Sequence, residues 1–210
     1  MRILITAGAT WVKVDEVRIF TNCFTGKSGL YLARELKKKG HSVTLLINPH
    51  CTGKISDITS VYYRYFDEFK SKVYQILRKK NYDAIIHMAA VSDYQLRVPK
   101  KGKIPSGRSN LILKLVPAEK IVKTIRKLAK EALLIQFKLE ANRKGLKEKA
   151  YKSLKSNKSD FVVANSLTDM DLGYKAFLIN DKKKVINIGS KKALADTLNR
   201  IIIKQSWKKV

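Results

Sequence analysis

The sequence predicts an α/β protein of the Rossmann-like, doubly wound type, with a mostly parallel sheet, helices on both faces and a basic flap. Apolar segments rich in β-branched residues alternate with segments of helical periodicity almost to the end of the chain, which is typical of βα units. The 210 residues are 45% apolar and contain no repeat or low-complexity linker. We therefore expect residues 1–210 to form a single domain.

The first half of the chain shows the alternation clearly. Residues 27–39 carry apolar side chains at helical spacing and end at Gly40, as helices commonly do. A second helix, over 67–80, begins with an acidic residue, which the helix dipole favours. The predicted strands of this half cover residues 2–7, 42–47, 61–66 and 83–88.

Residues 95–110 interrupt this alternation. They contain two prolines and two glycines among several lysines and arginines, so we expect a mobile basic flap. Beyond it, Pro117 is predicted to begin a helix, because its missing N–H costs nothing in the first turn, and Ser190 is expected to cap the last helix. Strands are predicted over 111–115, 133–139 and 161–164, a hairpin over 175–180 and 184–188, and helices over 117–130, 142–158 and 190–204.

The composition argues against several classes of protein. Cys23 and Cys51 are the only cysteines, and the three histidines are scattered, so neither a disulfide framework nor a metal site is expected. The longest apolar runs fall far short of the roughly 20 residues that a membrane span requires, and no targeting segment precedes the first strand. We expect a cytoplasmic protein without membrane contact.

The net charge suggests an anionic partner. There are 44 basic and 17 acidic residues, which gives a charge of +27. Such a balance fits nucleic acid, but the bases are mostly lysines spread over predicted helices, and no known nucleic-acid motif is present. A multiply phosphorylated small substrate is the alternative, and nucleic acid is the less favoured partner.

Ligands of open α/β sheets gather outside the carboxyl ends of the strands, and the first candidate site lies there. Gly26 and Lys27 begin a predicted helix, whose N–H groups together with the lysine would bind an anion. The segment is not a P-loop, because Thr21 stands where that motif requires glycine, and Gly8 belongs to no G-x-G-x-x-G pattern. An ordinary helix start remains the alternative.

Three further segments follow strands or form the flap. Asp93, just after the strand over 83–88, would accept a base amino group, hold a cation or simply cap a turn. The flap lysines, Lys103 among them, would form either a lid over phosphates or a solvated loop. Asn165 follows a later strand and is either a ligand contact or a turn former.

Seven short motifs occur along the chain in a fixed order. They are TAGAT at 6–10, DEVRIFTNCFTGKSG at 15–29, AAVSDY at 89–94, KI at 103–104, LVPAEKI at 115–121, FKLE at 137–140 and DFVVAN at 160–165. In this order they resemble the phosphopantothenate-cysteine ligase family, the synthetase domain often fused to a phosphopantothenoylcysteine decarboxylase. The resemblance covers nearly the whole chain, and its long match over 17–29 is specific.

The resemblance implies a Rossmann-like homodimer that joins 4'-phosphopantothenate to cysteine in coenzyme A biosynthesis. It further implies a nucleoside triphosphate, CTP or ATP, and Mg²⁺, with no metal site built by the protein. The decarboxylase would be a separate partner. Activation of a carboxylate as an acyl-nucleotide requires positioning and charge neutralisation more than a covalent nucleophile.

The resemblance also assigns roles residue by residue. Asn22 would hold the acyl-nucleotide intermediate, and Lys103 would neutralise the transferring phosphate. The substrate-binding residues it implies are Gly26, Lys27, Ala90 and Asn165, and the nucleotide-binding residues are Ala89, Asp93, Lys103, Ile121 and Phe137.

Two departures from the family pattern concern the nucleotide. Lysines implied by the resemblance are replaced here by Ser153 and Asn157, and Gln136 stands where glycine is usual. Nearby Lys152, Lys155 and Lys158 could substitute at helical spacing. The alternative function is therefore a diverged relative that binds a nucleotide or a pantothenate-type ligand without ligating it.

Overall fold

The computed structural model describes residues 1–51, 55–107, 109–171 and 174–206. The strands are β1 (Arg2–Ala7), β2 (Trp11–Lys13), β3 (Ile19–Thr21), β4 (Ser42–Ile47), β5 (Thr59–Tyr62), β6 (Ala84–His87), β7 (Tyr94–Leu96), β8 (Leu115–Pro117), β9 (Leu133–Glu140), β10 (Phe161–Ser166), β11 (Ala176–Asn180) and β12 (Val185–Ile188). The helices are α1 (Lys27–Lys38), α2 (Phe66–Lys79), α3 (Ile121–Leu128), α4 (Leu146–Asn157), α5 (Leu167–Asp171) and α6 (Lys191–Ser206).

Eight strands form the central sheet in the order β5-β4-β1-β6-β9-β10-β11-β12. The strands from β5 to β10 are parallel, and β11 and β12 add an antiparallel hairpin at one edge. The parallel part has the 3-2-1-4-5-6 order of a Rossmann sheet, in which the strand order reverses beside β1. The predicted fold class is confirmed.

Helices cover both faces of this sheet. On one face, α1 and α6 pack on a core that includes Ile5, Ile86 and Ile135. On the other face, α2 and α3 pack on Leu4, Ile85 and Leu134, and α4 packs nearby on β10. Side chains alternate between the two faces along a strand, so the residue two positions after each of these core residues lies on the same face as that core residue. This alternation sets the direction of the side chains at the carboxyl edge of the sheet.

Two predicted elements have different boundaries in the structure. The strand expected over 61–66 ends at Tyr62, because the N–H of Tyr65 bonds to Glu68 Oε2 at 3.3 Å and begins α2 in a capping box. Pro117 does not begin a helix: it ends β8, and α3 starts at Ile121. The last hairpin and the cap of α6 are confirmed, since Ser190 Oγ accepts the N–H of Ala193 at 3.0 Å.

Further differences concern short or glycine-flanked segments. The strand predicted over 111–115 is replaced by β8, which pairs with β7. The helix predicted over 142–158 begins only at Leu146, after Gly145 with φ of 66°. The β2–β3 hairpin was not predicted. Arg108, within the flap, lies outside the described residues, and none of the described helices is long and apolar enough to cross a membrane.

Candidate active site

A cleft of about 590 Å³ opens at the carboxyl edge of the sheet, beside the point where the strand order reverses. It is bordered by the ends of β1, β6, β9 and β10 and by the starts of α1 and α3. Nine of the ten predicted site residues line it. They are Asn22, Gly26, Lys27, Ala89, Ala90, Asp93, Ile121, Phe137 and Asn165.

Lys103 is the exception. It is exposed and does not line the cleft, because the main chain of the flap is attached elsewhere. The N–H of Ile104 donates to Asp15 Oδ2 at 3.0 Å, and the N–H of Lys100 donates to the carbonyl of Val14 at 3.0 Å. The flap therefore rests on the β2–β3 hairpin instead of covering the cleft.

The buried carboxylate of Asp15 is the centre of this attachment. Burial alone would raise its pKa, but the N–H groups of Ile104, Val17 and Arg18, together with the Arg18 guanidinium, lower the pKa to about 2. The group is thus ionised at neutral pH and accepts all of these bonds. Sequence reasoning did not assign Asp15 this role.

The start of α1 lies close to the end of β1. Gly26 has φ of 80°, and a Cβ there would lie 2.9 Å from the Gly8 nitrogen. A Cβ at Gly29 would lie 2.4 Å from the Ala7 Cβ. The N-cap residue Gly26 has no side chain to cap α1, and the N–H of Lys27 donates to Thr25 Oγ1 at 3.4 Å. Within the described residues the N–H groups of Ser28 and Gly29 remain for an anion beside Lys27.

The segment after β6 joins the two sides of the cleft. The N–H of Ala90 donates to the Gly8 carbonyl at 2.9 Å, and the Ala90 carbonyl accepts Asn22 Nδ2 at 3.1 Å. This bond fixes the Asn22 carboxamide over the strand end. Asn22 and Ala90, 68 positions apart in sequence, thereby meet at one point of the cleft.

Asp93 and α3 form the rim on the other side. Asp93 Oδ1 pairs with Lys120 Nζ at 2.5 Å, and the Asp93 carbonyl accepts the N–H of Ala118 at 2.8 Å. Ile121 is buried at the start of α3. Lys120 was not predicted as a site residue, although the LVPAEKI motif contains it.

A neutral polar network lies at the end of β9. Gln136 Nε2 donates to Ser153 Oγ at 3.1 Å, and Gln136 Oε1 accepts Asn157 Nδ2 at 2.8 Å and Ser159 Oγ at 3.1 Å. Gln136, Ser153 and Asn157 all line the cleft, whereas Lys152, Lys155 and Lys158 do not. The expectation that these lysines could substitute is therefore not met within the described residues.

The charges of the cleft favour an anionic ligand. Lys27, Lys120, Lys123 and Lys138 line it, against the carboxylates of Asp93 and Glu119. A concave site with this excess of cations attracts phosphates. Among the described residues, no three histidine, cysteine or acidic side chains come together as ligands for a metal ion.

Fold and cleft together define a class of protein: a Rossmann-like domain with a lysine-rich cleft at its topological switch point. Residues 1–205 match the DNA/pantothenate metabolism flavoprotein C-terminal domain, and the chain belongs to this family.

Similar proteins fall in the same group. The bifunctional coenzyme A biosynthesis protein CoaBC of Thermococcus kodakarensis is 33% identical over 171 residues, which are 79% of this chain and 41% of that protein. The crystal structure of a CoaBC C-terminal domain is 28% identical with a TM-score of 0.80, covering 98% of this chain and 95% of that one. The structure of a DNA/pantothenate metabolism flavoprotein from Streptococcus pneumoniae, 24% identical, has the same fold, with a TM-score of 0.86 over 97% of this chain and 99% of that one. The chain spans less than half the length of the Thermococcus relative.

Proposed function

We propose that this protein is a ligase that joins 4'-phosphopantothenate to cysteine through an acyl-nucleotide intermediate in coenzyme A biosynthesis. The observation that carries the proposal is that nine of the ten residues assigned by the family resemblance line one cleft, in which lysines outnumber carboxylates. Membership of a family whose relatives include bifunctional coenzyme A biosynthesis proteins supports it.

The proposed reaction has two steps. A carboxylate oxygen of phosphopantothenate attacks the α-phosphorus of a nucleoside triphosphate, and pyrophosphate leaves. The amine of cysteine then attacks the acyl carbon, an amide forms, and the nucleoside monophosphate leaves with the bonding electrons while the amine loses a proton. No protein nucleophile takes part, so catalysis depends on positioning and charge neutralisation.

The residues of the cleft divide between the two substrates. The start of α1 with Gly26 and Lys27, together with Ala90 and Asn165, would hold phosphopantothenate. Asn22 would hold the acyl-nucleotide, because Ala90 fixes its carboxamide between the two halves of the cleft.

The nucleotide would contact Ala89, Asp93, Ile121 and Phe137. Lys103 would act on the transferring phosphate only when the flap leaves Asp15 and closes.

CTP or ATP is the proposed cosubstrate, with Mg²⁺. Mg²⁺ at such sites is held by substrate phosphates, waters and one or two carboxylates, and Asp93, an exposed carboxylate on the cleft, fits this role. Bound there, Mg²⁺ would neutralise the triphosphate.

A homodimer in the cytoplasm, with a separate decarboxylase as partner, belongs to the same proposal. The nucleic-acid hypothesis rests on net charge alone.

Pyrophosphate release tests the proposal. The purified protein is incubated with Mg²⁺, 4'-phosphopantothenate and CTP or ATP, with and without cysteine. We expect release that depends on phosphopantothenate, and product amide only with cysteine. If a folded sample binds nucleotide but releases no pyrophosphate, the protein is instead a diverged relative that binds without ligating. The observation that favours this alternative is that Ser153 and Asn157 stand where the family resemblance implies lysines.

A further inference from the structure

Three polar side chains lie side by side across the middle of the sheet. Thr6, His87 and Gln136 are partners in register on β1, β6 and β9, and all three are buried. The side chains two positions earlier on these strands face α2 and α3, so the polar row lies on that face of the sheet. Of its three members, His87 and Gln136 line the cleft.

At one end of the row, the side chains of Thr6 and His87 are hydrogen-bonded to each other. Thr6 Oγ accepts the N–H of Ala89 at 3.3 Å and lies 2.8 Å from His87 Nδ1. The Thr6 hydroxyl either donates its hydrogen to Nδ1 or accepts a hydrogen from it, so this bond is compatible with both neutral tautomers of the imidazole ring. Burial lowers the pKa of His87 to about 4, so the ring is neutral at physiological pH.

The other end of the row leaves two groups available. Ser153 Oγ accepts amide hydrogens from Gln136 and Asn157, at 3.1 and 3.3 Å, so its own hydrogen is free to be donated. Both amide hydrogens of Asn157 are used within the network, and within the described residues no group donates to its Oδ1. A hydroxyl donor and a carbonyl acceptor thus lie next to each other on the cleft wall.

The pair formed by Ser153 and Asn157 lacks the positive charge of a phosphate-binding site. Ser153 and Asn157 stand where the family resemblance implies lysines, and both are neutral, so they cannot neutralise a triphosphate. Positive charge in the cleft is supplied by other residues, including Lys27, Lys120 and Lys123. A donor beside an acceptor is instead suited to the edge of a base.

We propose that Ser153 and Asn157, held by Gln136, recognise the nucleobase of the cosubstrate and select cytosine or adenine. Both bases present a ring nitrogen acceptor beside an exocyclic amino donor, which complements the serine hydroxyl and the asparagine carbonyl. Uracil and guanine present a ring N–H beside a carbonyl, so both contacts become mismatched. This inference rests on the nucleotide-dependent function proposed above.

Calorimetric titration of the full chain with the magnesium complexes of CTP, ATP, UTP and GTP, and with inorganic triphosphate, tests the inference. Loss of one neutral hydrogen bond lowers affinity by roughly five- to tenfold. We expect Asn157→Ala and Ser153→Ala each to weaken CTP and ATP by this factor and to leave UTP, GTP and triphosphate within about twofold. Ser71→Ala, an exposed serine on α2, is the matched control and should change none of them.

Each other outcome has a definite meaning. If the variants bind all four nucleotides and triphosphate with equally reduced affinity, the network binds phosphates. If the affinities are unchanged, the network does not contact the nucleotide. Either result overturns the inference, whereas nucleotide binding itself would still stand. If the folded, unmodified protein binds none of the four nucleotides, the proposed function fails and this inference fails with it. Melting curves of the variants separate these outcomes from unfolding.

Discussion

The Asn22 carboxamide is held by a single bond to the Ala90 carbonyl, which also accepts the N–H of Thr10 at 3.3 Å. Asn22→Ala removes this bond together with the contact to the intermediate, and the remaining bond from the Thr10 N–H to the Ala90 carbonyl should keep the strand end in place. We expect acyl-nucleotide to form and to accumulate, with a slower second step. Quench-flow measurement of the intermediate checks this, with Cys23→Ser at the neighbouring exposed position as control. Absence of excess intermediate would argue against this role for Asn22.

His87 should leave a mark on the pH dependence of stability. Burial lowers its pKa from 6.5 to about 4. Between these pH values His87 is therefore protonated in the unfolded chain and neutral in the folded chain. The free energy of unfolding should fall as pH decreases from about 6.5 to about 4, by about 3 kcal/mol in total. Urea denaturation at several pH values measures this slope. The slope should be smaller in His87→Asn; an identical slope would mean that other groups cause it.

At the scale of elements, α1 depends on a glycine where it crosses β1. A Cβ at Gly29 would lie 2.4 Å from the Cβ of Ala7, and neither atom can rotate away. We expect Gly29→Ala to destabilise the protein by about 1–3 kcal/mol through overpacking. Gly189→Ala, where a Cβ meets nothing within 4 Å, is the control in the same urea titration. Equal stability of both variants would show that α1 shifts without cost.

The flap is predicted to depend on the ionised Asp15. Asp15→Asn replaces an acceptor of several N–H groups by a side chain that itself carries N–H groups, so the flap should detach. We expect trypsin to cleave after Lys100, Lys101 or Lys103 several-fold faster in this variant. The control is Asp57→Asn, which changes an exposed carboxylate paired with Arg34. Trypsin should cleave this variant at the same rate as the unmodified protein.

The attachment of the flap to Asp15 should depend on pH. Because the pKa of Asp15 is lowered to about 2, its contribution is fully present above about pH 4 and is lost as pH falls through about 2. Unchanged cleavage in Asp15→Asn at neutral pH would show that the main-chain bond between Lys100 and Val14 suffices.

Elements with strong periodicity were predictable, and those fixed by tertiary contacts were not. Buried strands such as β4 carry their own pattern, and its bounds agree with the prediction. By contrast, Pro117 has the chemistry of a helix start, yet it ends β8 because that strand pairs with β7. Local sequence does not contain such a pairing.

The site shows the same division between motif and tertiary contact. The family resemblance assigned the residues along the cleft, and the parallel strands bring most of them together at their carboxyl ends. It could not predict that Gln136, Ser153 and Asn157 bond to each other, since that requires the register of β9 against α4. Nor could it predict that Lys103 lies away from the cleft, which depends on the buried Asp15.

At the scale of the whole molecule, the cleft is assembled from segments far apart in the chain: 22–29, 87–93, 119–123 and 153–157 all contribute. No fragment shorter than most of the chain contains them all. The binding site should therefore exist only in the fully folded state, and a nucleotide that binds it stabilises every segment at once.

This arrangement makes ligand binding a reporter of global folding. Saturating nucleotide at about 100 times its dissociation constant should add about 2.7 kcal/mol to the free energy of unfolding. Hydrogen exchange should slow by the corresponding factor, about 100-fold, at amides that exchange only through global unfolding. This should hold for amides in β1 and in the distant β11 alike. Protection confined to the residues around the cleft would reveal that the segments open independently. Cooperative protection would mean that a substitution remote from the cleft lowers occupancy simply by lowering the folded population, so loss of activity alone does not identify a catalytic residue here.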